Sequence, residues 1–486
     1  MQIRCDELRV LEFADEEQLL DALPTQAREM HWPVVIVGAG ACGLSAALHL
    51  KDVGVESLVL ERDEVPAGST ALSSGFIPAA GTLAQKALGL EDTAEDFARD
   101  IQDKAHGLAA PHLVSAYTQA IPLAMDALSK KHGLNWEVLD HFLYPGHRQY
   151  RMHTLASRTG LGLMDQLQRA CQDAEVCILT QSRVLELWVI QSTGRVGALA
   201  YQRPDKSMEH VRAGALLLAC NGFGGNAQLL KEFIPQMQDS TYAGHAGNDG
   251  SAIVWGRLLG AQLADLTAFQ GHGSWAQPQG VLVTWALMMQ GGIQVNVLGQ
   301  RFHNESLGYS EASLEVLAQP QGIAFNVFDG PLLTLARSFP DFVELERMGG
   351  VRRFESVQSL AEWIGCAGSS LANTLEGLTR SPGLVASEDQ KGHELERVFE
   401  RGLTLPLFAI KVTGALFHTQ GGLDIDARCR VLKPDRTALP NTFAGGGAAR
   451  GVSGPAVWGY LSGNGLLSAM ASAFIAAHAI KQDLSA

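Results

Sequence analysis

The sequence predicts an α/β fold, a Rossmann-like nucleotide-binding domain with an α+β capping domain inserted into it. Three observations carry this. Residues 32–63 contain VVIVGAGACGLSAALHLKDVGVESLVLERD, in which a Val/Ile run, a Gly-rich turn, an Ala/Leu helix and a second Val/Leu run form a βαβ unit. The stretch EVCILTQSRVLELWVIQSTGRVGALAYQ alternates β-branched residues around a turn at Thr193-Gly194, and GALLLACNGFGGN is a further apolar strand running into glycines. The end of the chain, LPNTFAGGGAARGVSGPAVWGYLSGNGLLSAMASAFIAAHAI, returns to strand, Gly loop and Ala-rich helix after a mixed middle segment.

Taken in order, residues 1–31 read as an acidic, helix-prone lead-in. Residues 32–264 are the first part of the nucleotide-binding domain, 265–405 the capping domain and 406–486 the second part. A length of 486 residues fits roughly two or three domains.

Composition narrows the function classes. Lys plus Arg number 37 against 51 Asp plus Glu, a net charge of −14. No basic block occurs, which argues against nucleic acid or an anionic membrane surface as partner. The seven cysteines (Cys5, Cys42, Cys171, Cys177, Cys220, Cys366, Cys429) are scattered without a CxxC or CxxCH, so a disulfide scaffold, a zinc site and an attached c-type haem are not expected. The first residues carry acids where a secretion signal needs a basic start. The longest apolar stretch, 466–480, is too short to span a bilayer. A cytoplasmic protein without membrane insertion is the expectation.

Gly38-Ala39-Gly40-Ala41-Cys42-Gly43 closes a strand and opens a helix. Glycines there make the tight turn, admit a pyrophosphate to the backbone and permit close helix packing. Glu61 ends the second strand, where a carboxylate accepts both ribose hydroxyls of an adenosine. The small-residue loop VPAGSTALSSGFIPAAGT, 65–82, suits backbone contact with a second cofactor half.

That loop, together with CNGFGGN at 220–226, Asn248-Asp249-Gly250 and Phe443-Ala444-Gly445-Gly446-Gly447, resembles the family of succinate dehydrogenase and fumarate reductase flavoproteins, which includes soluble fumarate reductases and 3-ketosteroid dehydrogenases. The resemblance implies FAD and a set of cofactor-binding residues: Gly38, Gly40, Ala41, Gly43, Glu61, Arg62, Gly68, Ser69, Thr70, Ser74, Gly75, Val184, Asn221, Gly222, Asn226, Asp249, Gly446, Gly447 and Leu466. Ser69 stands where the membrane enzymes tether flavin through a histidine, which implies non-covalent FAD. Gly447 departs from the family, which has a glutamate there.

The segments FQGHGS (269–274), TWALM (284–288), GQRFHNE (299–305) and FHTQGG (417–422) follow the order of substrate motifs in fumarate reductases. The resemblance places His272, Thr284, Arg301 and His418 on dicarboxylate-binding positions, the arginine also delivering a proton. The relay glutamate and second arginine of that branch are Trp285 and Met288 here, and its other carboxylate-clamping arginine aligns with Tyr460. What replaces them is similar to the ketosteroid dehydrogenases. Tyr309 follows Asn304-Glu305-Ser306 at the position of the tyrosine that removes a proton next to a ketone, and Tyr460-Leu461-Ser462 is similar to their Tyr-x-Ser.

Loss of an α-proton requires stabilised charge on the ketone oxygen, which the Tyr460 hydroxyl and the N–H of Gly463 or Asn464 can supply, with hydride passing to flavin N5. To act near neutrality Tyr309 must lie well below its reference of about 10, with Arg301 the nearby cation. The expected activity is FAD-dependent dehydrogenation of a cyclic ketone, steroid or alicyclic, at its α,β C–C bond; the alternative is reduction of an α,β-unsaturated acid. Tyr309, Tyr460, Arg301 and His418 are the candidate catalytic residues, and His272, Thr284, Trp285, Ser462, Gly463 and Asn464 the candidate substrate contacts. With no haem or iron–sulfur motif, a separate electron carrier is implied. Tyr144, His147, Arg148 and Tyr150 form a polar-aromatic cluster that reads either as cleft lining or as packing.

Overall fold

The computed structural model describes residues 7–140, 142–378, 395 and 397–485. Cys5, the first six residues of the lead-in and residues 379–394 of the predicted cap lie outside them. The chain divides into two compact units, one comprising 1–235, 244–269 and 418–486, the other 236–243 and 270–417.

In the first unit the Val/Ile run becomes strand His31–Val37, whose last four residues are buried. It lies between Ser57–Leu60 and Met208–Leu218, parallel to both. Continuous apolar runs suit this position, because a parallel strand is covered on both faces. The crossover helix Ala41–Asp52 is buried from Ala41 to Leu50, all round, as a helix enclosed between a sheet and other helices must be. The turn at Thr193-Gly194 joins the antiparallel strands Arg183–Ile190 and Arg195–Gln202. The sheet runs in the order Arg9–Phe13, Arg183–Ile190, Arg195–Gln202, Met208–Leu218, His31–Val37, Ser57–Leu60, Cys177–Leu179, and Ala438–Ala444 also pairs with Met208–Leu218. From Ala444 the chain enters the last Gly loop and then helix Asn464–Ser485.

The lead-in departs from the helical expectation. Its residues Arg9–Phe13 form an edge strand parallel to Arg183–Ile190, because pairing with an open sheet edge overrides weak local propensity. Helix Glu16–Ala22 then begins at Asp15, whose carboxylate accepts from the Gln18 N–H. Leu19, Leu23 and Ala27 are buried among Trp188, Ile190 and Ala198.

The second unit holds a seven-stranded sheet, counted among the described residues, with Leu407–Thr419 at its centre. Its unit boundaries differ from 265 and 405. Leu407–Thr419 is one continuous strand, antiparallel to Ile323–Phe328, so the chain leaves this unit only after Phe417. Residues 236–243 join it through Thr241–Tyr242, parallel to Ala415–Leu416. Such a pairing over long separation carries no local signal.

Candidate functional site

A cleft opens at the ends of the parallel strands in the first unit. Gly38, Gly40, Glu61, Arg62, Gly68, Ser69, Thr70, Val184, Asn221 and Asp249 line it. Its base is the turn from His31–Val37 into Ala41–Asp52. Gly38 has φ +105°, and a Cβ on Gly43 would stand 1.9 Å from the Gly38 carbonyl oxygen. Gly40 differs: a Cβ there would meet nothing nearer than Thr70 Oγ1 at 3.8 Å. The protein itself does not require a glycine at 40; a pyrophosphate lying against the helix N-terminus does. That terminus has no side-chain cap at Gly40, and Ala41 N–H donates to Thr70 Oγ1.

The Glu61 carboxylate accepts from Ala39 N–H at 2.7 Å and from Asp63 N–H at 2.9 Å, one on each oxygen. Each oxygen therefore keeps a lone pair for a ribose hydroxyl. Arg62 donates to the Gly247 carbonyl and lies 3.5 Å from Asp249. Burial opposes its charge, yet Asp63 and Asp249 raise its pKa above the ordinary value. The hydrogen bond from His245, joined by Arg62, holds the Asp63 carboxyl down at about 2. Ser69 Oγ accepts from the Asn248 side chain at 2.7 Å and from His245 N–H. Asn221 takes the left-handed conformation, φ +65°, and its Oδ1 accepts from Gly222 N–H at 2.8 Å, offsetting roughly 1–2 kcal/mol of backbone strain.

Not every predicted cofactor residue lines the cleft. Asn226 caps helix Ala227–Phe233 with Oδ1 and donates to the Asp249 carbonyl, so it shapes the Asn248-Asp249-Gly250 turn. Gly222 leaves room for Thr419 Oγ1, which a Cβ would meet at 2.1 Å. Gly446 donates to Ser472 Oγ, and Gly447 abuts Asn221. Gly75 packs on the Thr159 carbonyl, Ser74 beside it is partly buried, and Leu466 packs against the apolar core from the terminal helix. Asp63, His245, Ser182, Cys220 and Trp255 line the cleft without having been expected; their spacing in the chain marks none of them.

The candidate substrate residues fall in both units. In the first, His418, Tyr460 and Asn464 come together at the start of the terminal helix. His418 and Tyr460 meet edge to face at 5.6 Å. Gly465 lies under His418, whose Cε1 would be 2.8 Å from a Cβ there. Burial lowers His418 to a pKa of about 4, partly offset by the Thr419 carbonyl, so its imidazole is neutral. Asn464 N–H donates to the Leu461 carbonyl at 3.0 Å; Gly463 is the other residue expected there. Gly463, at φ +88°, packs on Pro78. Ser462 is buried, and its carbonyl bonds to His147 Nε2 at 2.9 Å. The polar-aromatic cluster is therefore largely packing: His147 supports Ser462, half-buried Tyr144 stacks edgewise on Phe142, exposed Arg148 pairs with Asp103, and Tyr150 gives its carbonyl to Gln85.

In the second unit, Gly271 and Gly273 of strand Phe269–Ala276 let helix Tyr309–Leu317 approach closely; Cβ atoms there would lie 2.1 Å from Ser313 Oγ and 2.7 Å from Ala312 Cβ. This sets Tyr309, the first helical residue, over His272, with ring centroids 4.8 Å apart and planes 21° from parallel. Burial lowers His272 to about 3, and its Nδ1 accepts from Ser274 N–H. Trp285 meets His272 edge-on and donates to the Glu305 carbonyl. Trp285 and Met288 belong to the apolar core. Thr284 Oγ1 accepts from Ala286 N–H, starting helix Ala286–Met289.

Arg301 belongs to a buried ion-pair cluster. It grips the buried Glu305 with Nε at 3.0 Å and a terminal nitrogen at 2.5 Å. Arg397, not anticipated from sequence, binds the same carboxylate at 3.1 Å and the Gly292 carbonyl. Burial works to raise the Glu305 pKa, but the two guanidiniums hold it far below the carboxylate range. Arg301 is thus a structural ion-pair partner in the first instance.

Residues 33–466 match the sequence model of the FAD binding domain family. Probable fumarate reductase Ifc3 of Shewanella frigidimarina is 26% identical over 435 residues, 89% of this chain and 72% of that protein. Urocanate reductase of Eggerthella lenta is 26% identical over 425 residues, 85% of this chain and 69% of that protein. Among solved structures, a flavocytochrome c3 fumarate reductase superposes with TM-score 0.77 at 23% identity, covering 100% of this chain and 83% of that one. The 3-ketosteroid-Δ4-(5α)-dehydrogenase of Rhodococcus jostii gives 0.73 at 24%, covering 93% and 97%. With the open cradle at Gly40, the half-satisfied Glu61 and a match over most of its length, the chain belongs to the FAD binding domain family and is an FAD-dependent oxidoreductase.

Proposed function

We propose that the protein dehydrogenates a cyclic ketone at its α,β C–C bond. The observation that carries this is Tyr309, stacked on a neutral histidine, while the positions that a fumarate-type proton relay needs are the apolar core residues Trp285 and Met288. FAD, when bound, supplies the two-electron acceptor, held without a covalent link because Ser69 offers only a hydroxyl already bonded to Asn248.

Tyr309 takes the α-proton. Trp285 contacts both the Glu305 carbonyl and the Tyr309 ring, so it ties the Arg301–Glu305–Arg397 cluster to the start of the helix that carries this tyrosine. Tyr460 O–H and Gly463 N–H donate to the ketone oxygen, where negative charge develops. A separate carrier takes the electrons, in the cytoplasm.

The second reading, reduction of an α,β-unsaturated acid, draws on relatives named as fumarate and urocanate reductases, with Arg301 as proton donor and His272 and His418 as carboxylate partners. Anaerobic absorbance separates the two. Bleaching of the flavin band by cyclohexanone, 4-oxocyclohexanecarboxylate or a saturated 3-ketosteroid supports dehydrogenation. If none bleaches it and fumarate restores the colour of a pre-reduced sample, dehydrogenation is discarded for the second reading.

A further inference from the structure

Gln420 lies in the segment 417–422 and has no part in the chemistry above. It is buried, 5% exposed, and its backbone is tied on both sides, its N–H to the Ala268 carbonyl and its carbonyl to Gly451 N–H, each at 2.9 Å. Its side chain is the centre of a chain of hydrogen bonds. Asn464 Nδ2 donates to Ser453 Oγ at 3.1 Å, Ser453 Oγ donates to Gln420 Oε1 at 2.8 Å, and Gln420 Nε2 reaches His418 Nδ1 at 2.7 Å. Ser453 has one hydroxyl proton and directs it at Gln420, so the amide presents its NH2 to the imidazole. A neutral imidazole carries one N–H; with Nδ1 accepting, that proton is on Nε2.

We propose that Gln420 is a positioning residue that holds His418 as its Nε2–H tautomer, making this histidine a fixed hydrogen-bond donor to an oxygen of the substrate. The opposite tautomer would turn a lone pair toward that oxygen and repel it. The inference rests on the assignment of His418 to the substrate site made above, and it extends that assignment by naming what sets the polarity of the contact. It favours substrates that present an acceptor there, a ketone or carboxylate oxygen, over those that present a hydroxyl as donor only.

The test is nitrogen NMR of FAD-loaded protein carrying 15N-histidine, with the His418 signals identified by their loss in His418→Asn. Wild type shows protonated Nε2 and unprotonated Nδ1. In Gln420→Leu the two tautomers mix, flavin content stays at the wild-type level, and kcat with the active substrate falls about tenfold. In Gln420→Glu, whose carboxylate accepts, the proton appears on Nδ1. A wild-type signal from Nδ1–H, or an Nε2–H signal that survives both substitutions, overturns the proposal. If the tautomer responds but kcat in Gln420→Leu does not fall, the donor role is overturned. Failure of every ketone and enoate to titrate the flavin instead overturns the functional reading, and leaves the tautomer result to stand alone.

Discussion

Among the described residues, each unit brings a histidine against a tyrosine ring, and the two pairs are built differently. His272 and Tyr309 stack face to face in the second unit, and a backbone N–H, that of Ser274, occupies Nδ1. His418 and Tyr460 meet edge to face in the first unit, and a side-chain amide occupies the same nitrogen. A backbone N–H can only donate, so the tautomer of His272 is set by the chain itself. An amide can turn over and exchange donor for acceptor, so that of His418 depends on Ser453 and Asn464 beyond it. The same polarity is thus set by the backbone in one pair and by a side-chain network in the other.

The largest expected effect separates the tyrosines. Tyr309→Phe removes the base, and substrate-driven flavin reduction in a stopped-flow trace slows by about 10²–10⁴-fold with FAD content unchanged. A rate within tenfold of wild type removes Tyr309 from the chemistry and hands the reaction to the enoate reading. Arg301→Met tests whether the support beneath Tyr309 is structural. It leaves Glu305 with Arg397 alone, so the loss is smaller than the roughly 3–5 kcal/mol of an unpartnered buried charge and is read as a lower urea midpoint; an unchanged midpoint would show that the pair does not hold the fold.

Tyr460→Phe removes one of two donors to the ketone oxygen, so kcat falls by about 10²–10³-fold while flavin content is kept. Equal losses at Tyr309 and Tyr460 would erase the distinction between base and oxyanion donor.

The smallest effect compares the histidines directly. Both are lowered by burial, to about 3 and about 4, against about 6.5 in the unfolded chain. The unfolded state therefore binds more protons between pH 6.5 and 4. The stability that each neutral histidine contributes is complete above 6.5 and is lost as pH falls toward the folded value. His272→Asn and His418→Asn should each flatten this fall by about 1.4 kcal/mol per pH unit, measured by urea titration at several pH values. A variant with the wild-type slope marks a histidine that is charged in the fold.

The cofactor cleft was legible because its signal is local. Gly38, Gly40 and Gly43 occupy one turn, and Glu61 ends the next strand of the same βαβ unit. Motif resemblance marks a segment but not the side of the backbone on which each side chain emerges, so it does not tell that Asn226 caps a helix and that Leu466 packs on the core. Arg301 shows the same limit: its four-residue spacing from Glu305 was visible, but the burial that makes the pair bidentate was not.

By itself the sequence determined the α/β class and the dinucleotide turn, since each depends on neighbours within one turn or one βαβ unit, while the flavin and the order of the candidate substrate motifs came with the family resemblance. Tertiary structure alone decided that Arg9–Phe13 closes a sheet edge, that Arg397 shares Glu305 across 92 residues, that the Asn464 N–H donates to the Leu461 carbonyl, and that Gln420 reaches His418 with Ser453 behind it. The physical reason is the same in each case: hydrogen bonds and ion pairs are settled by which groups burial brings within 3 Å, and distance along the chain does not encode that.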